Sequence, residues 1–456
     1  MNNWVGIILA AGKSSRMKSG TSKVLHKVGG KPMLIHIIEA LKQASITNII
    51  IVTSKENESI INTVGSAASY SIQPSPKGTG DAIKYCSSYI KGKFDQILVM
   101  NGDTPLIDSK TLKNLMDLHS QKQSDITFLT GEIGDLKGLG RIIRNTSGKL
   151  IKIVEEHEAT AKELESNEFN SGIYCINNTT LWEDIDSIKS SNKGEYYITE
   201  LAEINSRKGR NIQSITLDNN EEIIGVNDRN DLSIVEEKMR YKILRDLMFN
   251  GVTIRDPKST FIEGTVSIEQ DTIIEPNTYI YGKTSIGKDC KIGPNTSIFN
   301  SNIDSRCSII SSHVEESIIE SDVDIGPFSH IRKDTVIKSQ THIGNFVEIK
   351  KSEIGLNSKI GHFSYLGDAN IGNDVNIGAG TVTCNFDGIN KNLTIIGDKA
   401  FIGCDTMLVA PITVGNDAAT GAGAVVTNNV PANTLVAGVP AKIIKTLHNT
   451  STNLQE

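Results

Sequence analysis

The C-terminal half of the chain repeats an aliphatic residue followed by glycine on a beat of six. The pairs are Ile286-Gly287, Ile292-Gly293, Ile325-Gly326, Ile343-Gly344, Ile360-Gly361, Leu366-Gly367, Ile377-Gly378, Ile396-Gly397, Ile402-Gly403 and Val414-Gly415. A period of six suits neither a helix nor a two-faced strand. It suits a three-sided prism in which each side is one short strand with one inward aliphatic residue, so that a coil takes about 18 residues. The half is therefore read as a parallel β-helix. A prism of this kind can also serve as a bare spacer or a trimerisation scaffold, so the repeat specifies fold and leaves chemistry to named side chains.

The rhythm resembles the hexapeptide-repeat acyltransferases. That resemblance, and not the spacing, implies left-handed coils, since parallel crossovers are otherwise right-handed in about 98% of cases. A length of 456 residues implies two or three domains, and an aromatic content of 5% suits a core of small aliphatic layers. A formal charge of −6 with no long basic run argues against a nucleic-acid partner. Cys86, Cys175, Cys290, Cys307, Cys384 and Cys404 form no Cys-x-x-Cys pair, which argues against a zinc knuckle or a disulfide framework and fits a reduced cytoplasm. The apolar run from Val5 to Ala11 follows no basic segment and is too short to span a bilayer, so it reads as a buried first strand with no membrane partner.

Residues before about 226 alternate β-rich runs (Val5 to Leu9, Ile49 to Val52, Ile97 to Met100) with helical patterns such as Met33 to Ala44. This is the signature of a doubly wound, Rossmann-like α/β sheet, which binds ligands at the carboxyl ends of its strands. Leu232, Val235, Met239, Ile243 and Leu247 then follow helical spacing, and Gly251 supplies a stop. The expected division is 1–227 for the α/β domain, 228–250 for a linking helix and 251–456 for the β-helix with its tail. The prism should run from Val252 to Lys442, broken between Cys384 and Thr394, with a disordered polar tail from Thr446 to Glu456.

The first strand delivers Leu9-Ala10-Ala11-Gly12-Lys13-Ser14-Ser15-Arg16-Met17. Small residues after a strand let backbone N–H groups approach phosphates, and Lys13 and Arg16 add positive charge. This is no Walker loop, and by itself it could be a plain turn. It is followed by Lys23-Val24-Leu25, by Gln73 with Gly78-Thr79-Gly80, and by Asn101-Gly102-Asp103 at a strand end. An aspartate just past a buried strand, opposite a phosphate loop, is what Mg²⁺ requires, although an isolated one would read as a helix cap.

Together these segments resemble the sugar-1-phosphate nucleotidylyltransferases, with Ser14, Ser15 and Ser22 standing where that family has glycine, threonine and proline. The resemblance implies that Leu9, Ala10, Ala11, Gly12, Arg16, Gln73, Gly78 and Thr79 hold a uracil nucleotide and that Lys23 neutralises the phosphate under attack. It further implies Mg²⁺ ligation by Asp103 and Asn227, and an amino-sugar phosphate held by Gly140, Glu155, Asn170 and Asn227. No Ser/His/Asp triad or nucleophile elbow is visible in this half, as expected where positioning and charge neutralisation do the chemistry.

In the prism, Arg332 and Lys350 each follow an inward isoleucine and stand 18 residues apart, one coil, which places two cations about 4.8 Å apart. Such a pair either splays into solvent or holds an anion. The stretch from Glu348 to Gly388, with Gly361-His362-Phe363-Ser364-Tyr365, Asn376-Ile377-Gly378-Ala379 and Thr383-Cys384-Asn385-Phe386, favours the anion. It resembles, in order, the acetyltransferase half of the bifunctional N-acetylglucosamine-1-phosphate uridylyltransferase/glucosamine-1-phosphate acetyltransferases, and the likeness spans nearly the whole chain. That resemblance implies a sugar phosphate held by Arg332, Lys350, Tyr365 and Asn376, with Asn385 also near the sugar. It implies His362 as general base, a role for a group with pKa near 6.5. It implies acetyl-CoA contacts at Ala379, Asn385, Phe386, Cys404, Ala422 and Val439, where Phe386, Cys404 and Val439 depart from the family's tyrosine, serine and arginine. His330, His342 and His362 suggest a rival metal site, but their phases put them on no common face.

The expected activity is acetylation of glucosamine-1-phosphate by acetyl-CoA, then uridylyl transfer from UTP to N-acetylglucosamine-1-phosphate, in a homotrimer that feeds peptidoglycan and lipopolysaccharide synthesis. The rivals are a single-activity nucleotidylyltransferase whose prism only regulates or oligomerises, and a non-catalytic scaffold. Lys350, His362, Tyr365 and Asn385 count against the first, and Lys23, Asp103 and Asn227 against the second.

Overall fold

The computed structural model of the chain describes residues 3–12, 14–56, 58–132, 138–217 and 219–447. Lys13 and most of the anticipated tail, 448–456, lie outside them. The chain folds as two compact units, Met1–Met239 and Arg240–Glu456.

In the first unit, Trp4–Leu9 runs parallel to Ile49–Ser54 on one side and Gln96–Asn101 on the other. Val5 and Ile7 enter one core cluster and Ile8 another, so both faces of this strand are covered and the run carries no polar residue. Ser69–Gln73 extends the sheet beyond Ile49–Ser54. On the far side, Glu168–Asn177 lies antiparallel between Gln96–Asn101 and Ile126–Glu132, and Ile212–Leu217 closes that edge parallel to Ile126–Glu132. The reversed strand is absent from the sequence reading because its register shifts between Asn170 and Tyr174, which breaks the alternation that would reveal it. The helix Met33–Gln43 buries Leu34, Ile37, Ile38 and Leu41 on one stripe, with Ala44 as its cap.

The helix Arg229–Phe249 is divided between the units and does not stand free as a linker. Glu236 accepts from the Gly29 N–H at 2.9 Å in the first unit, whereas Leu244 packs into the prism core and the Arg240 guanidinium lies 4.5 Å from the Phe261 ring centre in the second. Its buried residues are Val235, Met239 and Leu244, so the stripe moves from the expected Ile243 to Leu244 where the partner changes.

The second unit stacks mostly two- and three-residue strands into three sheets of 12, 10 and 9 strands, parallel throughout except for the last strand of the first. All ten aliphatic residues of the six-beat are at most 3% exposed and belong to one continuous core. Ile331 pairs with Ile349 across 18 residues, but Ile343 pairs with Ile360 across 17, so the coil length drifts while the inward phase is kept. Between Cys384 and Thr394 the wall opens into a loop, bridged once by Phe386 and Lys391. The prism ends in an antiparallel hairpin of Thr434–Gly438 and Ala441–Thr446, so Thr446 is the last residue of a strand and not the start of the tail. Among the described residues no helix is long and apolar enough to cross a membrane.

Candidate functional sites

At the carboxyl ends of Trp4–Leu9, Ser69–Gln73 and Gln96–Asn101 the first unit opens a cleft of about 560 Å³. Its lining includes Leu9, Ala10, Ala11, Gly12, Arg16, Lys23, Gln73, Gly78, Thr79, Asp103 and Asn227, which are the expected nucleotide and metal residues together. The backbone fixes their meeting. Gly102 N–H donates to Leu9 C=O at 2.9 Å, and Val226 N–H donates to Asp103 C=O at 2.9 Å, so the two oxygen-bearing side chains face the phosphate loop. Gly78 has φ +101, and a Cβ there would sit 2.4 Å from the Tyr196 carbonyl oxygen, so only glycine lets this turn close. Gln73 Nε2 donates to Asp81 at 2.7 Å, and Thr79 Oγ1 accepts from Ile198 N–H at 3.0 Å.

The donor set fits a hard divalent cation. Asp103 presents its carboxylate and Asn227 its amide oxygen, and each is met by a cationic side chain, Lys23 on the Asp103 carboxylate and Arg16 Nη2 at 2.9 Å on Asn227 Oδ1. Glu195 and Tyr197 also line the cleft, joined by a hydrogen bond from the phenol to the carboxylate. The sequence reading missed them because they sit in a loop with no periodicity.

Gly140, Glu155 and Asn170 form a separate cluster. Asn170 N–H donates to Gly140 C=O at 2.9 Å, and a Cβ on Gly140 would lie 3.6 Å from Glu155 Oε2. Burial pushes the Glu155 carboxyl above its usual range, partly offset by the Thr199 hydroxyl that donates to it at 3.2 Å. Asn170 Nδ2 donates to Tyr174 Oη at 2.7 Å.

On the prism, Arg332 and Lys350 extend from adjacent strands, His330–Ile331 and Val347–Lys350, in the expected register. Arg332 Nη1 donates to Glu348 at 2.7 Å, which holds the guanidinium above its usual pKa. Lys350 has cations around it. The Lys391 ammonium first, then desolvation and Arg332, hold its pKa below the usual lysine value. Lys391, from the loop that interrupts the prism, is a third cation that no spacing argument could place. Tyr365 lies on the next strand, and its hydroxyl and Asn385 Nδ2 crowd the space over Gly367, where a Cβ would sit 2.4 Å and 2.8 Å from them. Asn385 is 6% exposed and gives Nδ2 to Asp368 at 2.6 Å, so its side chain braces the loop.

His362 occupies the corner between Lys359–Ile360 and Ser364–Gly367, exposed and without a hydrogen bond among the described residues. Above it the same corner repeats as Ala379, Cys404 and Ala422. Successive coils are tied there by Gly380 N–H to Phe363 C=O, Asp405 N–H to Ala379 C=O and Gly423 N–H to Cys404 C=O, at 2.6–2.8 Å. Small residues leave a shallow track along that edge. Phe386 and Val439 are exposed at 59% and 73%, in the loop and in the hairpin turn. Asn376 is not brought to the Arg332, Lys350 and Tyr365 face, because its strand belongs to a different sheet of the prism. His330 and His342 also lie in different sheets, with His362 at a corner, so these three share no face.

The family described as Nucleotidyl transferase matches residues 5–223, and the Bacterial transferase hexapeptide (six repeats) family matches residues 265–300. Bifunctional protein GlmU of Staphylococcus epidermidis is 44% identical over 430 residues, 94% of this chain and 95% of its own. The protein of the same name from Pelobacter propionicus is 40% identical over 439 residues, covering 95% of each chain. That of Streptococcus thermophilus is 41% identical over 446 residues, 98% of this chain and 97% of its own. With a nucleotidyl transferase sheet, a hexapeptide prism and 40–44% identity along almost its full length, the chain belongs to the bifunctional GlmU family.

Proposed function

We propose that the chain makes UDP-N-acetylglucosamine in two steps, with the acetyl transfer on the prism and the uridylyl transfer in the α/β unit. The observation that carries this reading is the presence in one chain of both groupings, Gly12, Lys23, Asp103 and Asn227 on one cleft and Arg332, Lys350 and Tyr365 on successive coils.

In the cleft, a phosphate oxygen of N-acetylglucosamine-1-phosphate attacks the α-phosphorus of UTP, and the bond to the bridging oxygen breaks to release pyrophosphate. The backbone beyond Leu9 cradles the phosphates, and Lys23 and Arg16 oppose the charge that builds on them. Asp103 and Asn227 would hold Mg²⁺, which supplies further neutralisation when bound. Gly140, Glu155 and Asn170 would receive the sugar.

On the prism, Arg332 and Lys350 hold the phosphate of glucosamine-1-phosphate, and Tyr365 and Asn376 position the sugar. The amine attacks the thioester carbon of acetyl-CoA, His362 takes the amine proton, and the C–S bond breaks to release the thiolate, which takes up that proton as the free thiol. The track of Ala379, Cys404 and Ala422 suits an extended pantetheine arm, with Phe386 and Val439 beside it. Because Asn376 lies on another sheet, a neighbouring copy completes the site in a homotrimer. The enzyme would work in the cytoplasm, where its nucleotide and thioester substrates are made.

Purified protein given glucosamine-1-phosphate, acetyl-CoA, UTP and Mg²⁺ should release free thiol, pyrophosphate and UDP-N-acetylglucosamine. Pyrophosphate release only when N-acetylglucosamine-1-phosphate is supplied would reduce the prism to a scaffold.

A further inference from the structure

Two coils of the prism carry a cluster that neither reaction uses. His313 and His330 are paired residues on adjacent strands of one sheet, with ring centres 5.0 Å apart, and Glu315 leaves the first strand on the same face two residues after His313. The two oxygens of Glu315 divide between the rings. Oε1 lies 3.4 Å from His330 Nε2, and Oε2 lies 3.9 Å from His313 Nε2. One donor atom from each of the three residues fits within 4.8 Å of the other two.

We propose that His313, Glu315 and His330 form a binding site for a divalent transition metal of the zinc class. His330 Nε2 is buried and makes no hydrogen bond among the described residues, so an imidazole nitrogen faces the carboxylate without donating to it. The separations are long for hydrogen bonds yet close to the spacing of neighbouring ligands about a tetrahedral zinc, about 3.4 Å for bonds of 2.0–2.1 Å. Two imidazoles and one carboxylate make a borderline donor set that selects zinc, cobalt or nickel over magnesium. Arg332, on the same face, gives its ion pair to Glu348 at 2.7 Å and acts on Glu315 only through its field. The three side chains are 32–43% exposed, so a fourth position opens to solvent. Since the ligands come from two consecutive coils, the ion clips one coil to the next.

Chelator-treated full-length protein titrated with Co²⁺ should develop the visible absorption of a tetrahedral nitrogen–oxygen site, saturating at one ion per chain, and Zn²⁺ should abolish it by displacement. Zn²⁺ should also raise the melting temperature of the prism. His313→Gln, Glu315→Gln and His330→Gln should each lose the spectrum and the shift, whereas Asp103→Ala should keep both. Wild-type protein with no tetrahedral spectrum, or three variants that bind as the wild type does, would overturn the assignment.

Discussion

The Ser14 hydroxyl accepts a hydrogen bond from the backbone N–H of Lys23 at 3.2 Å. Ser14 adopts φ 54, a left-handed conformation that costs a non-glycine residue about 1 kcal/mol, and returns a bond of similar worth by holding the Lys23 segment. Two departures from the family pattern thus meet at one contact, since Ser22, which replaces proline, immediately precedes Lys23. Ser22 has φ −54, within the range of proline, and its N–H donates no hydrogen bond among the described residues. Ser22→Pro should therefore stabilise the first unit by about 0.4–1 kcal/mol, read by denaturant unfolding, with uridylyl transfer retained. A loss of stability would show that the Ser22 backbone does not hold a φ that proline can adopt.

Asp103→Ala should abolish Mg²⁺-dependent uridylyl transfer. The same change removes the carboxylate that pairs with Lys23, so both the metal site and the aim of the lysine suffer. Acetyl transfer should be unaffected, because its residues belong to the other unit. Pyrophosphate release assayed beside thiol release in one preparation checks both halves of the claim.

His362→Ala should lower acetyl transfer by about 10²–10⁴-fold, the usual worth of a positioned general base. Binding of acetyl-CoA and uridylylation of supplied N-acetylglucosamine-1-phosphate should persist. Near-normal acetylation by the mutant would send the search to another proton acceptor.

Light scattering at assay concentration should give the mass of three chains. The proposal that a neighbouring copy completes the acetyl site rests on the separation of Asn376 from the face that carries Arg332 and Lys350, and a fully active monomer in the acetyl assay would contradict it.

His119 should make the first unit acid-sensitive. Its ring is 0% exposed, bonded by Nε2 to Gln96 Oε1 at 2.9 Å and by Nδ1 to Thr127 Oγ1 at 2.8 Å, and burial pulls its pKa down to about 4. The folded value lies below the unfolded one near 6.5, so the unfolded chain takes the proton first as pH falls. Stability is then whole above pH 6.5 and declines by about 2 kcal/mol toward pH 5, flattening below 4. Urea unfolding at pH 7 and pH 5 should show this slope in the wild type and lose it in His119→Gln.

Much of the prism is legible in sequence because every coil buries aliphatic residues at the same phase, many of them followed by glycine, and that phase is kept while the coil length varies. Local signals also mark the phosphate loop, where Gly12 and Asp103 each stand just past an apolar run. What stays hidden is created by distance along the chain. Lys391 meets Lys350 only because a loop folds back across the wall, Glu195 and Tyr197 reach the cleft from an irregular segment, and His313 meets His330 only once the coil between them is measured. Phase relative to an inward residue sets His362 apart, but it gives His330 and His342 the same phase although they lie in different sheets. It does not count the residues in the coil between them, and the coil lengths here vary.

The closing hairpin has a consequence for how the molecule keeps to itself. A stack of parallel coils ends in open backbone donors and acceptors that could accept the first coil of another molecule, and so on without limit. Ala441–Thr446 turns the chain back against the last strand, so the outermost edge runs against the grain of every coil beneath it. Lys442 and Lys445 put charge along that edge, on side chains that are exposed. One wall of a solenoid that would otherwise invite fibre growth is thereby closed to continuation by a second solenoid.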